Sequence, residues 1–484
     1  MARIANFSRP KNTRRAIKQM FGYLGRHKWY MFAIAFLVAA SAMANIMGTY
    51  LLKPVINNYI LPGDIPGLIR MIALMGLMYA LGASACLAYN QLMVHMSQQV
   101  VSEIRSDLFE HTQKLPLSYF DAHTHGELMS RFTNDVDTLT EALNGSFAMM
   151  IQSFITITGT ITMLLILSRR LSLIVIFFLA CMTLFIRYNS RRNRKYFIRQ
   201  QQCLGSINGF VEEMVAGQKV EKVFNHEPQD FEEFCRRNEA LRDAGTKALA
   251  YSGMTIPTIV SLSYFNYAVS ACVGGLFALA GLTDLGTLAS YLVYVRQSAM
   301  PMNQFTQQIN FLLSALSGAE RIFDMMDEIP EIDEGNVRLC QVRENPMGQL
   351  KECSEFTGRF AWKVPEETVK RTRLDAPVSD GFAFIPLKGD VRFNDVVFGY
   401  VPEKTILNSI SLYAKPGQKI AFVGSTGAGK TTIINLVNRF YEVNGGSITY
   451  DGIDIREIRK DDLRRSMSMV IQDTHLFTGT IADN

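Results

Sequence analysis

Six apolar stretches dominate the first 312 residues of this 484-residue chain, and they limit its fold more than any other feature. A helix needs about 20 apolar residues to cross the hydrocarbon core of a bilayer, so stretches of this length predict membrane spans. The fourth stretch is short and polar residues interrupt the sixth, so hydropathy supports these two least. The stretches are Trp29–Leu52, Leu68–Val94, Phe147–Leu167, Leu171–Tyr188, Thr255–Leu282 and Gly286–Leu312.

The segments that join the stretches predict their orientation. Long joins, 97–145 and 189–253, alternate with joins of a few residues, and 189–253 alone contains eleven Lys or Arg. Cytoplasmic loops carry such an excess of positive charge, so we expect both long joins and both termini on the cytoplasmic side. The sequence thus predicts a multi-pass protein of a bacterial plasma membrane, with the C-terminal α/β domain in the cytoplasm. Helical spacing of Val100, Ile104 and Leu108 predicts that the spans continue into the cytoplasm as helices.

Charge and cysteine content exclude several classes. Only 19% of residues are charged, below the roughly 25% of soluble chains. The net charge of +5 is not massed in one basic tract, so no nucleic-acid partner is expected. The seven cysteines form no CxxC pair or metal-spaced cluster. Residues 1–28 hold eight Lys or Arg without a cleavage site, which predicts a cytoplasmic amphipathic lead-in rather than a signal peptide.

The pattern changes after the last stretch. We assign 29–328 to a membrane domain, 329–389 to a linker with strand-like pieces, and 390–484 to the beginning of a soluble α/β domain. In that domain alternation predicts strands, and a helix is predicted over Thr431–Phe440. The predicted strands are Val391–Phe398, Ile406–Leu412 and Lys419–Val423.

A phosphate-binding pattern follows the third of these strands. The segment from Gly424 to Thr431 fits GxxxxGK[ST], in which glycines let backbone N–H groups surround phosphate oxygens. Lys430 can reach the β- and γ-phosphates, and the Thr431 hydroxyl suits Mg²⁺. The predicted nucleotide-binding residues are Gly424, Ser425, Thr426, Gly427, Ala428, Gly429, Lys430, Thr431 and Thr432.

Three other residues have more than one interpretation when taken alone. An aromatic face at Tyr400 can stack on adenine, or the side chain belongs to the core or surface. Gln472, 42 residues after Lys430, can bind Mg²⁺ or orient water, or it is an ordinary polar loop residue. Arg296 is costly in lipid: it faces a cavity and contacts an anionic substrate, or it pairs with backbone carbonyls or snorkels to headgroups.

Six spans followed by a phosphate-binding loop resemble the ABC exporter family (type IV, multidrug or lipid-A-exporter-like). Leu115–Asp121 and Gly126–Arg131 resemble its first intracellular coupling loop, and 208–224 its second. Ser317–Phe323 resembles the helix that leaves span six. Pro416-Gly417, Asp451-Gly452 and Ile471-Gln472-Asp473 fall in family order around the phosphate-binding loop. The linker is longer than usual and is similar to one half of heterodimeric multidrug exporters of Gram-positive bacteria.

The resemblance implies a six-helix membrane domain joined to the N-terminal part of an α/β P-loop nucleotide-binding domain. It makes Tyr400 the adenine-stacking residue, gives Lys430 and Gln472 catalytic roles, and has Thr431 and Gln472 hold Mg²⁺. ATP and Mg²⁺ are the implied cofactors. A second half-transporter, the bilayer, and a hydrophobic small molecule, lipid or peptide are the implied partners, and ATP-driven export is the implied function.

The family's signature motif, Walker B aspartate and glutamate, D-loop and switch histidine follow the position of Gln472, and the sequence ends at Asn484 before them. We therefore expect a truncated product or partial sequence that binds ATP weakly and hydrolyses it negligibly alone. A non-hydrolysing ATP-binding partner of an exporter is the alternative. The coupling-loop segments disfavour a third possibility, a soluble kinase on a membrane anchor.

Overall fold

The computed structural model describes residues 13–345, 348–372, 374, 376–470 and 476–482. These residues fall into two compact units. The helical unit comprises Arg3–Ser106 and Arg131–Phe323, and the sheet unit comprises Asp107–Ser130 and Asp324–Asn484.

Helices make up almost all of the described residues up to Met326, and three further helices follow among the described residues of 366–465. In chain order they are α1 Thr13–Arg26, α2 Lys28–Pro54, α3 Ile65–Gln113, α4 Leu117–Ala122, α5 His125–Ser130, α6 Val136–Glu141, α7 Phe147–Leu167, α8 Arg169–Phe224, α9 Glu227–Gly253, α10 Thr255–Leu279, α11 Leu285–Gln297, α12 Ala299–Met326, α13 Glu366–Thr372, α14 Lys430–Val437 and α15 Lys460–Arg465. Short π-helical segments are Val55–Ile60, Arg131–Asp135 and Ala142–Ser146.

Five helical runs in the described part of the chain are long and apolar enough to cross a membrane. The first four predicted spans fall within them, and the fifth, Thr255–Leu282, extends three residues beyond the end of its run at Leu279. Large side chains on these runs remain exposed, such as Phe36 at 65% and Leu173 at 70%, as expected for helix faces that meet lipid. The runs are Lys28–Ile60, Ile65–Gln113, His125–Leu167, Arg169–Phe224 and Glu227–Leu279.

The sixth predicted span, Gly286–Leu312, consists of two helices rather than one. α11 ends at Gln297 and α12 begins at Ala299. Pro301 explains the break, because it has no N–H to donate to the carbonyl four residues earlier. At the junction the Ser298 N–H bonds the carbonyl of Val295, three residues back, at 3.4 Å.

Close helix packing forms the interior of the helical unit. Tyr291 and Tyr294 of α11 are fully buried in a cluster with Ile46, and the Tyr294 hydroxyl donates to the Ile46 carbonyl at 2.5 Å. A Cβ added at Gly274 would lie 2.4 Å from the Leu288 Cδ1, so glycine lets α10 and α11 approach. Small residues and interhelical hydrogen bonds are the usual means of packing helices in lipid.

The sheet unit begins with a five-stranded antiparallel sheet in the order β2-β1-β3-β5-β4. The segment predicted as a linker, 329–389, is therefore largely folded. Ala361, Trp362 and Val364 on β3 are completely buried, which makes this sheet a packed layer. Its strands are β1 Arg338–Glu344, β2 Leu350–Glu352, β3 Phe360–Pro365, β4 Val378–Ser379 and β5 Phe382–Pro386.

A second antiparallel sheet follows, in the order β7-β6-β8-β9. It shares one apolar core with the first sheet, since Trp362 and Ala383 cluster with Phe393 and Ile448. The predicted strand Val391–Phe398 has the same bounds in the structure. The strands are β6 Val391–Phe398, β7 Leu407–Ala414, β8 Gly445–Tyr450 and β9 Ile453–Asp454.

Asp451, at the turn between β8 and β9, connects the two sheets. Its carboxylate accepts hydrogen bonds from the backbone N–H groups of Lys388, Gly389 and Asp390, at 3.1, 2.9 and 2.9 Å. It also accepts the indole N–H of the buried Trp362 at 3.1 Å. Asp451 has φ of 51°, a left-handed conformation that aspartate tolerates better than most residues. This one side chain thus satisfies donors from both layers.

The predicted strand Lys419–Val423 is not a strand in the structure. A strand requires a neighbour that exchanges backbone hydrogen bonds, and none of the described strands pairs with these residues. Apolar side chains there remain in solvent, with Val423 95% exposed.

Candidate nucleotide-binding site

The loop from Gly424 to Lys430 has the backbone that its glycines suggest. Gly427 and Gly429 have φ of 85° and 87°, a region that side chains rarely adopt. A Cβ at Gly429 would also lie 2.8 Å from the Leu407 Cδ2. Position 429 therefore requires glycine, both because of its positive φ and because of its close approach to β7.

Lys430 opens α14 and turns back over the loop. Its Nζ donates to the carbonyls of Gly424 at 2.9 Å and Ser425 at 2.8 Å. The amine is thus held above the loop that would receive phosphate oxygens. Because α14 starts here, its unpaired N–H groups and its positive dipole end lie beside the same loop. The arrangement fits a polyphosphate.

The two threonines after Lys430 differ in their surroundings. Thr431 is exposed, so its hydroxyl is accessible to a hydrated Mg²⁺, whereas Thr432 is 5% exposed. The Tyr400 hydroxyl donates to the Thr432 Oγ1 at 3.4 Å and accepts from the Asn435 Nδ2 at 3.2 Å. The structure thus brings Tyr400 to the first turns of α14.

Tyr400 belongs to an aromatic cluster at the end of β6. Its ring meets that of Tyr441 edge to face, with centroids 4.9 Å apart, and that of Phe398 at 5.0 Å. Tyr400 remains 42% exposed, which leaves ring surface for a base. The preceding residue is held by a side chain from a distant segment, because the Gly399 N–H donates to the Asn444 Oδ1 at 2.8 Å.

Similar sequences identify the family. A family model described as the ABC transporter transmembrane region matches residues 31–302, and the ABC transporter model matches residues 407–484. The Bacillus subtilis (strain 168) protein named "Uncharacterized ABC transporter ATP-binding protein YfiC" is 34% identical over 477 residues, which cover 99% of this chain and 72% of that protein. The chain belongs to the ABC transporter family.

Other relatives are half-transporters of the exporter type. A "Fatty acid ABC transporter ATP-binding/permease protein" of Mycobacterium tuberculosis (strain CDC 1551 / Oshkosh) is 32% identical over 88% of this chain and 61% of its own length. An "ATP-dependent lipid A-core flippase" of Syntrophus aciditrophicus (strain SB) is 25% identical over 94% of this chain and 68% of its own length. This chain thus spans about two thirds of the length of these relatives.

These matches confirm the fold class predicted from the sequence. A helical membrane domain precedes a sheet-containing nucleotide-binding domain, as in ABC exporters. The family implies ATP binding by the second domain and a membrane location for the first. Within the described residues no group of three or more His, Cys, Asp or Glu could hold a metal. Thr431 is compatible with the small ligand contribution that Mg²⁺ takes from protein beside phosphates. Gln472, the other predicted Mg²⁺ and catalytic residue, lies outside the described residues.

The aromatic cluster of this ABC protein also contacts the segment that resembles the first coupling loop. The Tyr441 hydroxyl hydrogen bonds with the Asp121 carboxylate of α4 within the sheet unit. Burial, and then the hydrogen bond and the charge of Asp121, raise the pKa of Tyr441. The hydroxyl therefore remains a donor at neutral pH. Sequence reasoning missed this pair, because 320 residues separate the two partners and neither forms a motif with the other.

Two hydrogen bonds to backbone carbonyls fix the residues directly before the same segment. The Glu331 N–H donates to the carbonyl of Lys114 at 2.7 Å, and His111 Nε2 lies 2.9 Å from the Glu328 carbonyl. Glu331 in turn pairs with Arg464 at 2.6 Å and Lys460 at 3.2 Å. Burial alone would raise the pKa of Glu331, but its interactions with Arg464 and Lys460 lower it, so the carboxylate stays charged. Residues near the coupling segment are thereby fixed to α15.

Arg296, the remaining residue singled out from the sequence, lies in the helical unit. It is exposed near the end of α11 and lines a cavity of about 890 Å³. The other lining residues include Gln152, Gln297 and Gln304. Of the interpretations of Arg296 that the sequence left open, the geometry supports the one in which the side chain faces a cavity.

Proposed function

We propose that the full-length protein is the permease and ATP-binding subunit of an exporter that moves a hydrophobic or amphipathic substrate, of the lipid or fatty-acid type, across the membrane. One observation carries the proposal: the candidate adenine-stacking residue Tyr400 packs on Tyr441, whose hydroxyl bonds Asp121 in the coupling-like segment. The nucleotide site and the segment that leads to the spans are thus in physical contact within one unit.

In this proposal Lys430 holds the β- and γ-phosphates, the loop N–H groups surround them, and the Thr431 hydroxyl faces Mg²⁺. Tyr400 stacks on the adenine. ATP supplies free energy by binding one conformation of the transporter more tightly than the other. Gln472 would meet both the metal and the coupling segments. The nucleotide-binding domain and both termini lie in the cytoplasm.

The names of the relatives support the substrate class. One handles fatty acids and another flips lipid A-core, so acyl chains are common to both. Half-transporters of this family act in pairs, and we propose a second half-transporter as partner. The apolar faces of the spans are consistent with substrate entry from the bilayer.

The experiment compares the wild-type full-length protein and its Lys430→Ala variant in proteoliposomes. Each is reconstituted together with the partner half-transporter. Loss of one charged phosphate contact of about 1.5–3 kcal/mol predicts roughly 10- to 100-fold weaker binding of a labelled ATP analogue. ATP-dependent lipid transport should fall to background. Lys404→Ala removes an equal charge at the exposed turn before β7 and should leave both quantities unchanged. Unaltered ATP binding and transport in Lys430→Ala would refute the proposal.

A further inference from the structure

We propose that the cavity of the helical unit selects amphiphiles with an anionic headgroup, a carboxylate or a phosphate, and that Arg296 is the residue that recognises this group. The inference rests on the proposed export function and narrows its substrate class. It starts from the composition of the cavity wall. Arg296 is the one charged residue among the described residues that line the cavity, and none of these is Asp or Glu.

The depth of Arg296 argues against a role at the membrane surface. It lies eleven residues after Leu285, the first residue of α11. At 1.5 Å per residue the distance is about 16 Å along the helix, roughly half of the ~30 Å hydrocarbon core. Snorkelling serves residues near the ends of spans, so a residue at this depth needs a protein or ligand partner.

The described residues supply no opposite charge for Arg296. Its guanidinium forms no ion pair with a carboxylate among the described residues, although the shorter and more peripheral Lys53 has Asp284 at 4.0 Å. A guanidinium without a carboxylate partner on a cavity wall attracts an anion that enters the cavity, because the two groups form charge-assisted hydrogen bonds. An organic cation would meet repulsion and no carboxylate.

The rest of the wall suits the remainder of an amphiphile. The amides of Asn45, Gln152 and Gln297 can donate to the headgroup beside Arg296. Met149, Leu292 and Met300 provide flexible apolar surface for an acyl chain. A volume of about 890 Å³ falls within the usual range for small-molecule sites, which predicts one lipid-like molecule.

The break between α11 and α12 explains why this position is available. Arg296 is in the last turn of α11, and the helix is interrupted directly after it at Ser298. Pro301 leaves the carbonyl of Gln297 without its helical donor. Interrupted helices in membranes are tolerated where they line a cavity rather than lipid. The helix break at Ser298 and the charge of Arg296 therefore both indicate that this end of α11 lines a cavity.

The test measures binding to the nucleotide-free full-length protein, with its partner half, in nanodiscs of neutral lipid. The probes share one hexadecyl-type chain and differ in headgroup: radiolabelled palmitate, hexadecyl phosphate, methyl palmitate and hexadecyltrimethylammonium. We expect the two anions to bind roughly 10- to 100-fold more tightly than the neutral ester and the cation, as charge-assisted hydrogen bonds to an arginine on a cavity wall allow. Comparison of palmitate with hexadecyl phosphate tells which headgroup is preferred.

The variants are Arg296→Gln, Arg296→Lys and, as matched control, Arg170→Gln. The control removes an arginine from the exposed first turn of α8, outside the cavity. Arg296→Gln should abolish the preference for anions without changing affinity for methyl palmitate, Arg296→Lys should retain part of it, and the control should retain all of it. If Arg296→Gln does not fold, Arg296→Lys and the headgroup series still decide the question.

Equal binding of anionic, neutral and cationic probes by the wild type, or an unchanged preference in Arg296→Gln, would overturn the inference. These results leave the export function standing if ATP-dependent transport of the probes continues. Absence of transport of every probe while the ATP analogue still binds contradicts the proposed function instead. The two failures are thus distinguishable in the same preparation.

Discussion

Replacement of Asp451 by alanine should loosen both layers of the sheet unit. The substitution leaves the fully buried Trp362 indole N–H unpaired, which costs about 1–3 kcal/mol, and removes the acceptor of three partly exposed backbone N–H groups at 388–390. Alanine at φ of 51° adds strain of about 1 kcal/mol. Because water can replace some of the backbone bonds, we expect a total loss of about 3 kcal/mol.

The chain contains only two tryptophans, so its fluorescence can report on this site. In a Trp29→Phe background Trp362 is the one tryptophan of the 484-residue chain, and its burial makes its emission sensitive to unfolding. A loss of about 3 kcal/mol in a unit of this size corresponds to a decrease of roughly 6–12 °C in the midpoint of thermal unfolding.

Two further variants separate the causes. Asp451→Asn keeps an acceptor oxygen and tolerates the left-handed backbone, so it should lose about half as much. Asp461→Ala removes an equal charge from the exposed first turn of α15 and should shift the midpoint by less than about 2 °C. A midpoint for Asp451→Ala equal to that of the Asp461→Ala control would show that the carboxylate does not connect the sheets.

The remaining predictions concern the aromatic cluster. Tyr400→Ala removes the ring proposed to stack on adenine and should weaken binding of an ATP analogue about 5- to 100-fold, as for other base–aromatic contacts, whereas Tyr413→Ala on exposed β7 should not; equal affinities measured by fluorescence titration would exclude stacking. Tyr441→Phe keeps the ring and deletes the bond to Asp121, so ATP-analogue binding should persist while transported lipid per ATP hydrolysed falls about 2- to 10-fold. An unchanged ratio would mean that this bond carries no coupling.

Sequence reasoning located the membrane helices because hydropathy reports directly on the surrounding medium. Phe147–Leu167 lies within one long apolar helical run, and all but the last three residues of Thr255–Leu282 lie within another. It did not predict the break at Ser298, although Pro301 was visible, since apolar residues on both sides made the stretch read as one span. The segment contains a helix-breaking proline within an apolar pattern. The missing N–H of Pro301 interrupts the helix although the hydropathy favours one continuous span.

The candidate site was predictable where a short segment contains its own chemistry. The loop before Lys430 needs glycine at fixed positions, and the sequence displays it. Contacts between distant segments were not predictable. The hydrogen bonds of Asp451 to 388–390 and of Tyr441 to Asp121 depend on tertiary packing. The strands of 338–386 are short, and their mixture of polar and apolar residues does not predict a sheet.

The common interior of the two sheets has a practical consequence for anyone who edits this gene. From its sequence alone, the stretch between the last membrane helix and the nucleotide domain reads as a spacer that could be shortened. Its excision would remove Trp362 and Ala383, which share a core with Phe393 and Ile448, and would expose the apolar face of the second sheet. Chimeras should therefore exchange 337–470 as one block, with junctions outside it.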